Sequence, residues 1–192
     1  MDSLPGRCVL VRHGETEWSL TRRHTGRTDL PLLPVGEAQA ERLRDHLTDI
    51  PIDAVLCSPL LRARETCRLA GLGDDPEIDP DLAEWDYGSF EGRTTMEIHQ
   101  EWPGWDLFAD GAPGGETLHD VAERVDRVIA RVRAIDGVVA CVAHGHLLRV
   151  LAARWADLDP DAARSLLLGP AAVSTLGWEH GHPAIETWNL SW

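Results

Sequence analysis

The chain contains no lysine; all 18 of its basic residues are arginine. Codon bias is enough to account for that choice, so the absence alone assigns no function. Positive charge is scarce altogether. Eighteen cations face 32 acidic residues, for a formal net charge of −14. That balance argues against nucleic acid or an anionic membrane as the main partner. Long apolar runs are missing too: none approaches the ~18 residues that a bilayer-spanning helix needs. The amino terminus shows no apolar segment followed by a small-residue cleavage site, so secretion is not expected. Cysteine is sparse, at four residues: Cys8, Cys57, Cys67 and Cys141. They form no CxxC pair, and three sit in strand-like apolar runs where a thiol acts as a small hydrophobe. A reduced, cytoplasmic protein without disulfides or zinc is expected. No linker, repeat or low-complexity segment divides the chain, and its 192 residues suit one domain over 1–192.

Apolar residues alternate between two patterns. The stretches "CVLVR" (8–12), "AVLCS" (54–58) and "GVVACVAH" (137–144) read as buried strands, with a short strand near Glu77–Ile78. Helical spacing marks 33–47, 58–71, 94–102, 116–135, 146–156 and 159–168. The helix from 58 has Ser58 placed as N-cap, Pro59 at N1 and Gly71 as its stop. On the longest helix, Leu118, Val121, Val125, Val128, Ile129 and Val132 form one apolar stripe. Its charged residues, Glu123, Arg124, Asp126, Arg127, Arg131 and Arg133, read as a solvated face. A Gly/Pro/Trp loop spans 102–116, and 171–192 reads as an edge hairpin with a Gly/His turn. The alternation predicts an α/β fold with a mostly parallel sheet covered on both faces and an antiparallel edge.

In such sheets ligands bind beyond the carboxyl ends of the strands. Arg12–His13 and Ala143–His144 lie at two of those ends, with Ser58 and Arg62 just past a third. Residues 1–27 carry Arg7, Arg12, Arg22, Arg23 and Arg27 against Asp2, Glu15 and Glu17, a net positive piece of an acidic chain. Such a rim suits a small, highly charged anion. Arg12 and Arg62 can grip an oxyanion through charge-assisted bonds, and the helix start after Gly145 adds backbone donors. Phosphate is the anion most in need of that nest. Glycine after each histidine allows a sharp turn and close approach of a ligand. A neutral imidazole can attack phosphorus, and the leaving oxygen then needs an acid. Glu84, Asp86 and Glu91 in "LAEWDYGSFEG" are the candidates, and spacing does not choose among them. Beside Trp85, Glu84 would be partly buried and held protonated.

The segments "VLVRHGETEW", "HTGRTDLPLLPVGEAQA", "CSPLLRARETC", "LAEWDYGSFEG", "GGETLHDV" and "VAHGHLLR" together resemble the histidine phosphatase superfamily, the phosphoglycerate-mutase-like proteins. The matches run in order from residue 9 to about 149. The resemblance implies a three-layer α/β/α sandwich and no metal or other cofactor. It implies that His13 is the phosphorylated nucleophile, that Arg12, Arg62 and His144 hold the phosphoryl group, and that Glu84 is the proton donor. Ser19 departs from the pattern, since many members have Asn there as a phosphate contact. Thr25 and Gly26 are the candidates to compensate, with Gly145 and Trp85 as further binding residues.

Dedicated mutases of the family carry a longer insertion with extra arginines and a Glu-Arg…Tyr-Gly motif. Here Glu84 is followed by Trp85, and the segment up to Gly115 is short. Hydrolysis of a small phosphate ester on the acidic side of neutral is therefore expected. This part of the chain more closely resembles the family's broad acid phosphatases and sugar-bisphosphatases. A cofactor-dependent phosphoglycerate mutase and a non-catalytic phosphate-binding module on the same fold are the alternatives. The pair His144 and His146 is not read as a metal site, because residues two apart do not share a helix face; His146 is assigned to capping or packing. Trp192 is the candidate for a homodimer contact.

Overall fold

The computed structural model describes residues 6–192. Asp2 and the start of the amino-terminal segment read for a leader lie outside the described residues. Six strands form one sheet: β1 (Arg7–Arg12), β2 (Ile52–Cys57), β3 (Glu77–Ile78), β4 (Val138–Ala143), β5 (Val173–Glu179) and β6 (His182–Leu190). Their order is β3-β2-β4-β1-β5-β6. The first four are mutually parallel, whereas β5 runs antiparallel to β1 and to β6. The predicted edge hairpin is thus β5–β6, and its turn carries His180 at φ 51° and Gly181 at φ 82°.

The central strands are buried on both faces, which is why they read as unbroken apolar runs. Cys8 and Leu10 of β1, with Val139 and Cys141 of β4, pack against α6 (Leu118–Arg133) and α7 (Gly145–Trp155). The alternate residues, Val9, Val11, Ala140 and Val142, pack against α2 (Pro34–Leu47) and α3 (Leu61–Leu69). Three layers result, with β1 and β4 at the centre.

Several local expectations change. Helix α3 begins at Leu61, not Ser58, and Asp29 Oδ1 accepts from the Leu61 N–H at 2.7 Å. Ser58 is drawn away because its hydroxyl meets a histidine, described below. Residues 160–165 form a 3-10 turn rather than an α-helix. There the Arg149 guanidinium donates to the carbonyls of Ala163 and Arg164, which an α-helix would need for its own ladder. The 102–116 loop follows α4 (Thr95–Glu101) and contains a short helix, α5 (Leu107–Asp110), capped by Asp106. A further one-turn helix, α1 (Glu17–Leu20), follows the opening motif. On α6, Arg124 is not solvated but buried. It forms an ion pair with Glu116 at 2.7 Å and donates to the carbonyls of Asp81 and Ala83. Arg133 lies over the rings of Trp155 and Trp178, at 4.8 and 5.0 Å. No described helix is long and apolar enough to cross a membrane.

Candidate active site

Strand register assembles the site. Arg12 pairs with Ala143 and Cys57 with Val142, so the chain leaves β1, β4 and β2 at one level. His13 N–H donates to the Ala143 carbonyl and Ser58 N–H to the Val142 carbonyl, both at 3.0 Å. His13, His144 and Ser58 therefore stand side by side, with the imidazole centroids of His13 and His144 5.2 Å apart. Arg12, His13, Ser19, Thr25, Glu84 and Gly145 line a cleft of about 270 Å³ above them.

His13 donates Nδ1–H to its neighbour's carbonyl, Gly14 O, at 2.7 Å. A carbonyl only accepts, so this bond fixes the tautomer and leaves the lone pair on Nε2. Burial, then the charges of Arg62 and Arg12, push the His13 pKa well below its ordinary value, so the ring stays neutral.

His144 is fully buried, and both its ring nitrogens are bonded within the protein. Arg62 Nε–H donates to its Nδ1 at 3.2 Å, and its Nε2 meets Ser58 Oγ at 2.7 Å. Because guanidinium only donates, Nδ1 must accept, and Nε2–H must be the donor to Ser58. Burial, reinforced by the charge of Arg62, depresses its pKa as well. Arg62 is also fully buried and gives its other donors to the carbonyls of Thr28, Gly26 and Thr25. Two of the three residues expected to hold the phosphoryl group, Arg62 and His144, thus form the floor under His13 rather than the wall of the cleft. Arg12 differs. One Nη donates to the Leu168 carbonyl, and its buried Nε has no partner among the described residues.

The three acidic-loop candidates separate. Asp86 accepts from Gly88 N–H and pairs with Arg27, and Glu91 accepts from Thr28 N–H. Only Glu84 lines the cleft. Its carboxylate accepts from the N–H groups of Trp85 and Leu147, each at 2.9 Å, and of His146, at 3.1 Å. The start of α7 therefore holds it. The apolar wall expected from Trp85 is absent: the indole is fully buried and donates to the Glu116 carbonyl at 2.9 Å. Trp85 is a packing residue, drawn inward by that carbonyl, and does not line the cleft.

Ser19 is the N3 residue of a capping box with Thr16, and its hydroxyl donates to the Thr16 carbonyl at 3.0 Å. The Thr25 hydroxyl donates to the Arg23 carbonyl. Gly26 is packed under Trp85, where a Cβ would lie 2.8 Å from the Trp85 carbonyl. The glycines after the histidines serve the protein's own packing. A Cβ on Gly14 would come within 2.3 Å of Gly36 O, and one on Gly145 would meet the Arg12 guanidinium at 3.3 Å.

Residues outside these expectations complete the walls: His24, Tyr87, His146 and Arg149. His146 is not a cap or mere packing; its Nδ1 lies 2.6 Å from Tyr87 Oη. The signal in the sequence was a third histidine inside the arginine-rich "RRHTGR" stretch. Among the described residues, no three His, Cys, Asp or Glu side chains gather as metal ligands.

The sheet rim thus brings a neutral histidine, Arg12 and a carboxyl group to one cleft. The chain belongs to the histidine phosphatase superfamily (branch 1), whose model matches residues 8–191. It is similar to an acid phosphatase of Mycobacterium tuberculosis, 39% identical over 91% of this chain and 88% of the relative. It is also similar to sedoheptulose 1,7-bisphosphatase of Saccharomyces cerevisiae, 39% identical over 82% of this chain and 70% of the relative. Proteins named as probable phosphoglycerate mutases match at 30–31% identity. The solved structure of the Mycobacterium tuberculosis open reading frame Rv3214 superposes with a TM-score of 0.92 at 37% identity, covering 97% of this chain and 98% of that one.

Proposed function

We propose that this chain is a phosphomonoesterase that hydrolyses small phosphorylated metabolites through a phosphohistidine. The observation that carries this reading is the His13 tautomer, which leaves a neutral Nε2 lone pair at a cleft shared with a carboxyl group. Nε2 attacks phosphorus while the P–O ester bond breaks, and the departing oxygen takes the proton of the Glu84 carboxyl. Water then attacks the phosphoryl group and gives a proton back to Glu84. The P–Nε2 bond breaks, and inorganic phosphate leaves.

Arg12 touches the phosphoryl oxygens through Nη2, which has no partner among the described residues and, unlike Nε, is not buried. Arg62 and His144 are positioning residues, whose mutual hydrogen bond fixes the floor and keeps the Arg62 charge beneath His13. Hydrolysis is favoured over mutase chemistry because cations near the acidic loop are already engaged. Arg23 is paired with Glu97 and Arg93 with Glu101. The charges of Arg23 and Arg93 are therefore balanced and not free to retain a second phosphoryl or carboxylate group during reorientation. The depressed pKa of His13 keeps the nucleophile neutral on the acidic side of neutral, which supports turnover there.

Wild-type enzyme quenched in alkali after mixing with ³²P-labelled substrate should yield an acid-labile phosphoenzyme. His13→Ala, folded by circular dichroism, should yield none and lose turnover. Substantial turnover by the folded variant places the nucleophile elsewhere, and a wild-type rate still rising at pH 9 sinks the pairing of His13 with a carboxyl donor. Transfer between the positions of phosphoglycerate, faster than phosphate release, overturns the choice against mutase.

A further inference from the structure

The segment "LPVGEAQA" (33–40) lies in a stretch that resembles the family, yet none of its residues lines the cleft. It meets the site from behind, at the peptide that joins Gly14 to Glu15. The carbonyl of that peptide is Gly14 O, which accepts from His13 Nδ1–H at 2.7 Å and so sets the tautomer of the nucleophile. Its N–H belongs to Glu15 and donates to Gln39 Oε1 at 3.0 Å. One peptide plane therefore links the imidazole beyond β1 to a side chain of α2. The Glu15 N–H has no other acceptor among the described residues.

Backbone contact fixes the distance across this link. A Cβ on Gly36 would lie 2.2 Å from Glu15 O and 2.7 Å from Glu15 N, so the first turn of α2 rests directly on the 14–15 peptide. The Leu33 N–H adds a bond to Glu15 O at 2.9 Å. Gln39 stands three residues after Gly36 on the same helix face, which brings its amide to the Glu15 N–H. The amide's orientation follows from chemistry. A backbone N–H only donates, so Oε1 faces Glu15 and Nε2 points away. Nε2 has no protein partner and is not among the buried polar atoms left unsatisfied, so it reaches solvent.

Two effects reach His13 through this plane. Gln39 sets the rotation of the peptide, and with it the direction of Gly14 O. It also polarises the peptide, because a donating N–H makes the carbonyl of the same unit a stronger acceptor. Both effects grow as Nε2 bonds to phosphorus, since the ring then gains positive charge and Nδ1–H becomes a stronger donor. Without Gln39 the plane loses the bond that sets its rotation. An imidazole released from Gly14 O is free to carry its proton on Nε2, the tautomer with no lone pair to attack.

We infer that Gln39 is a positioning residue for the nucleophile: it holds His13 in the Nδ1–H tautomer through the Gly14–Glu15 peptide. This role rests on the phosphohistidine reading of the site.

Three variants test it. Gln39→Met keeps the side-chain volume and removes the acceptor. Gln39→Ala makes the same deletion without bulk, in case the longer side chain disturbs the fold. Gln39→Glu keeps an oxygen of the same reach and gives up only the unpartnered Nε2. Rapid quench with ³²P-labelled p-nitrophenyl phosphate, whose anion leaves without a proton, reads the nucleophile separately from Glu84. Phosphoenzyme formation should fall about tenfold or more in the Met and Ala variants and return to within about threefold of wild type in Gln39→Glu. Inhibition by inorganic phosphate should change less than about twofold, because no phosphate contact is touched. Proton–nitrogen correlation spectra of the imidazoles, with His13 assigned by its loss in His13→Ala, should show Nδ1–H in wild type and a new Nε2–H population in both deletion variants. An unchanged rate or an unchanged His13 tautomer in the folded deletion variants overturns the role, as does a Glu variant no faster than Met. Phosphate inhibition lost in step with the rate marks a merely structural effect and overturns it too. A wild-type enzyme that forms no phosphoenzyme overturns the phosphohistidine reading, and the role of Gln39 with it.

Discussion

At the residue scale, the site is governed by which atoms already have partners. His13 is usable because one nitrogen is spent on Gly14 O. Arg12 is usable because Nη2 is unspent and not buried. The role given to Glu84 leads to a selective prediction. Glu84→Gln keeps an acceptor oxygen for the N–H groups of Trp85 and Leu147, loses the one that serves His146 N–H, and cannot protonate a leaving oxygen. The rate on an alkyl phosphate should fall about 10²–10⁴-fold, the usual worth of general acid catalysis. The rate on p-nitrophenyl phosphate, whose anion departs without a proton, should fall much less. Equal losses on both substrates would remove Glu84 from the donor role. Gly145→Ala places a methyl 3.3 Å from the Arg12 guanidinium and should displace that group from the phosphoryl site. Inhibition by inorganic phosphate should weaken about tenfold, one lost charge-assisted bond, with the denaturant midpoint little changed. Unchanged phosphate inhibition would show that Arg12 does not hold the anion.

The residue types at the rim were legible in the sequence because strand ends announce themselves: an apolar run that stops at Arg12–His13 or at His144 has one place to go. Which way each side chain spends its donors was not legible. Arg62 and His144 face each other only because β2, β4 and α3 converge. Ser19 looks free for a ligand until the backbone of 16–20 closes its capping box. Trp85 invites a substrate role by its place beside Glu84, yet its indole follows a carbonyl more than thirty positions away in the chain.

At the scale of elements, the acidic loop that carries Glu84 has little regular structure of its own and is held from α6. Arg124 does most of this. It pairs with Glu116, whose Oε2 accepts from Asp86 N–H, and it binds the carbonyls of Asp81 and Ala83 on the near side of Glu84. Periodicity could not reveal this: Arg124 lies among charged neighbours that are exposed, and one buried arginine on such a helix has no signature of its own. Arg124→Met fits the burial but strands the Glu116 carboxylate and two carbonyls. Breaking such a buried pair costs about 3–5 kcal/mol. The urea midpoint should fall accordingly, and kcat should fall with it under conditions where the variant is still folded, because Glu84 loses its tether. A variant with wild-type midpoint and kcat would mean that the loop is held by Trp85 and Phe90 packing instead.

At the scale of the whole molecule, the same burial that keeps the imidazoles neutral makes the fold sensitive to acid. His13, His24, His144 and His146 all have depressed pKa values, chiefly through desolvation, with nearby arginines adding to it at His13, His144 and His146. The unfolded chain would bind protons at these residues near pH 6.5, whereas the folded chain resists them. Stability from each is therefore fully present above about pH 6.5 and is lost as pH falls towards the folded value. For His24, with a folded value of about 4, the loss amounts to roughly 3 kcal/mol across that window. The carboxylates with lowered values, Asp81, Glu97 and Asp120, act in the same direction but only once pH nears their ordinary range of about 4. Histidine alone thus accounts for losses between about pH 6.5 and 4.5. The urea midpoint should be flat from pH 8 to 6.5 and then decline, and His24→Phe should flatten part of that decline. A midpoint that holds to pH 4.5 would show that the imidazoles accept protons in the folded state. The neutral tautomer assigned to His13 would then fail along with it. An enzyme working on the acidic side of neutral would accordingly operate where its fold is already losing stability, and saturating phosphate, binding only the folded chain, should raise the midpoint there.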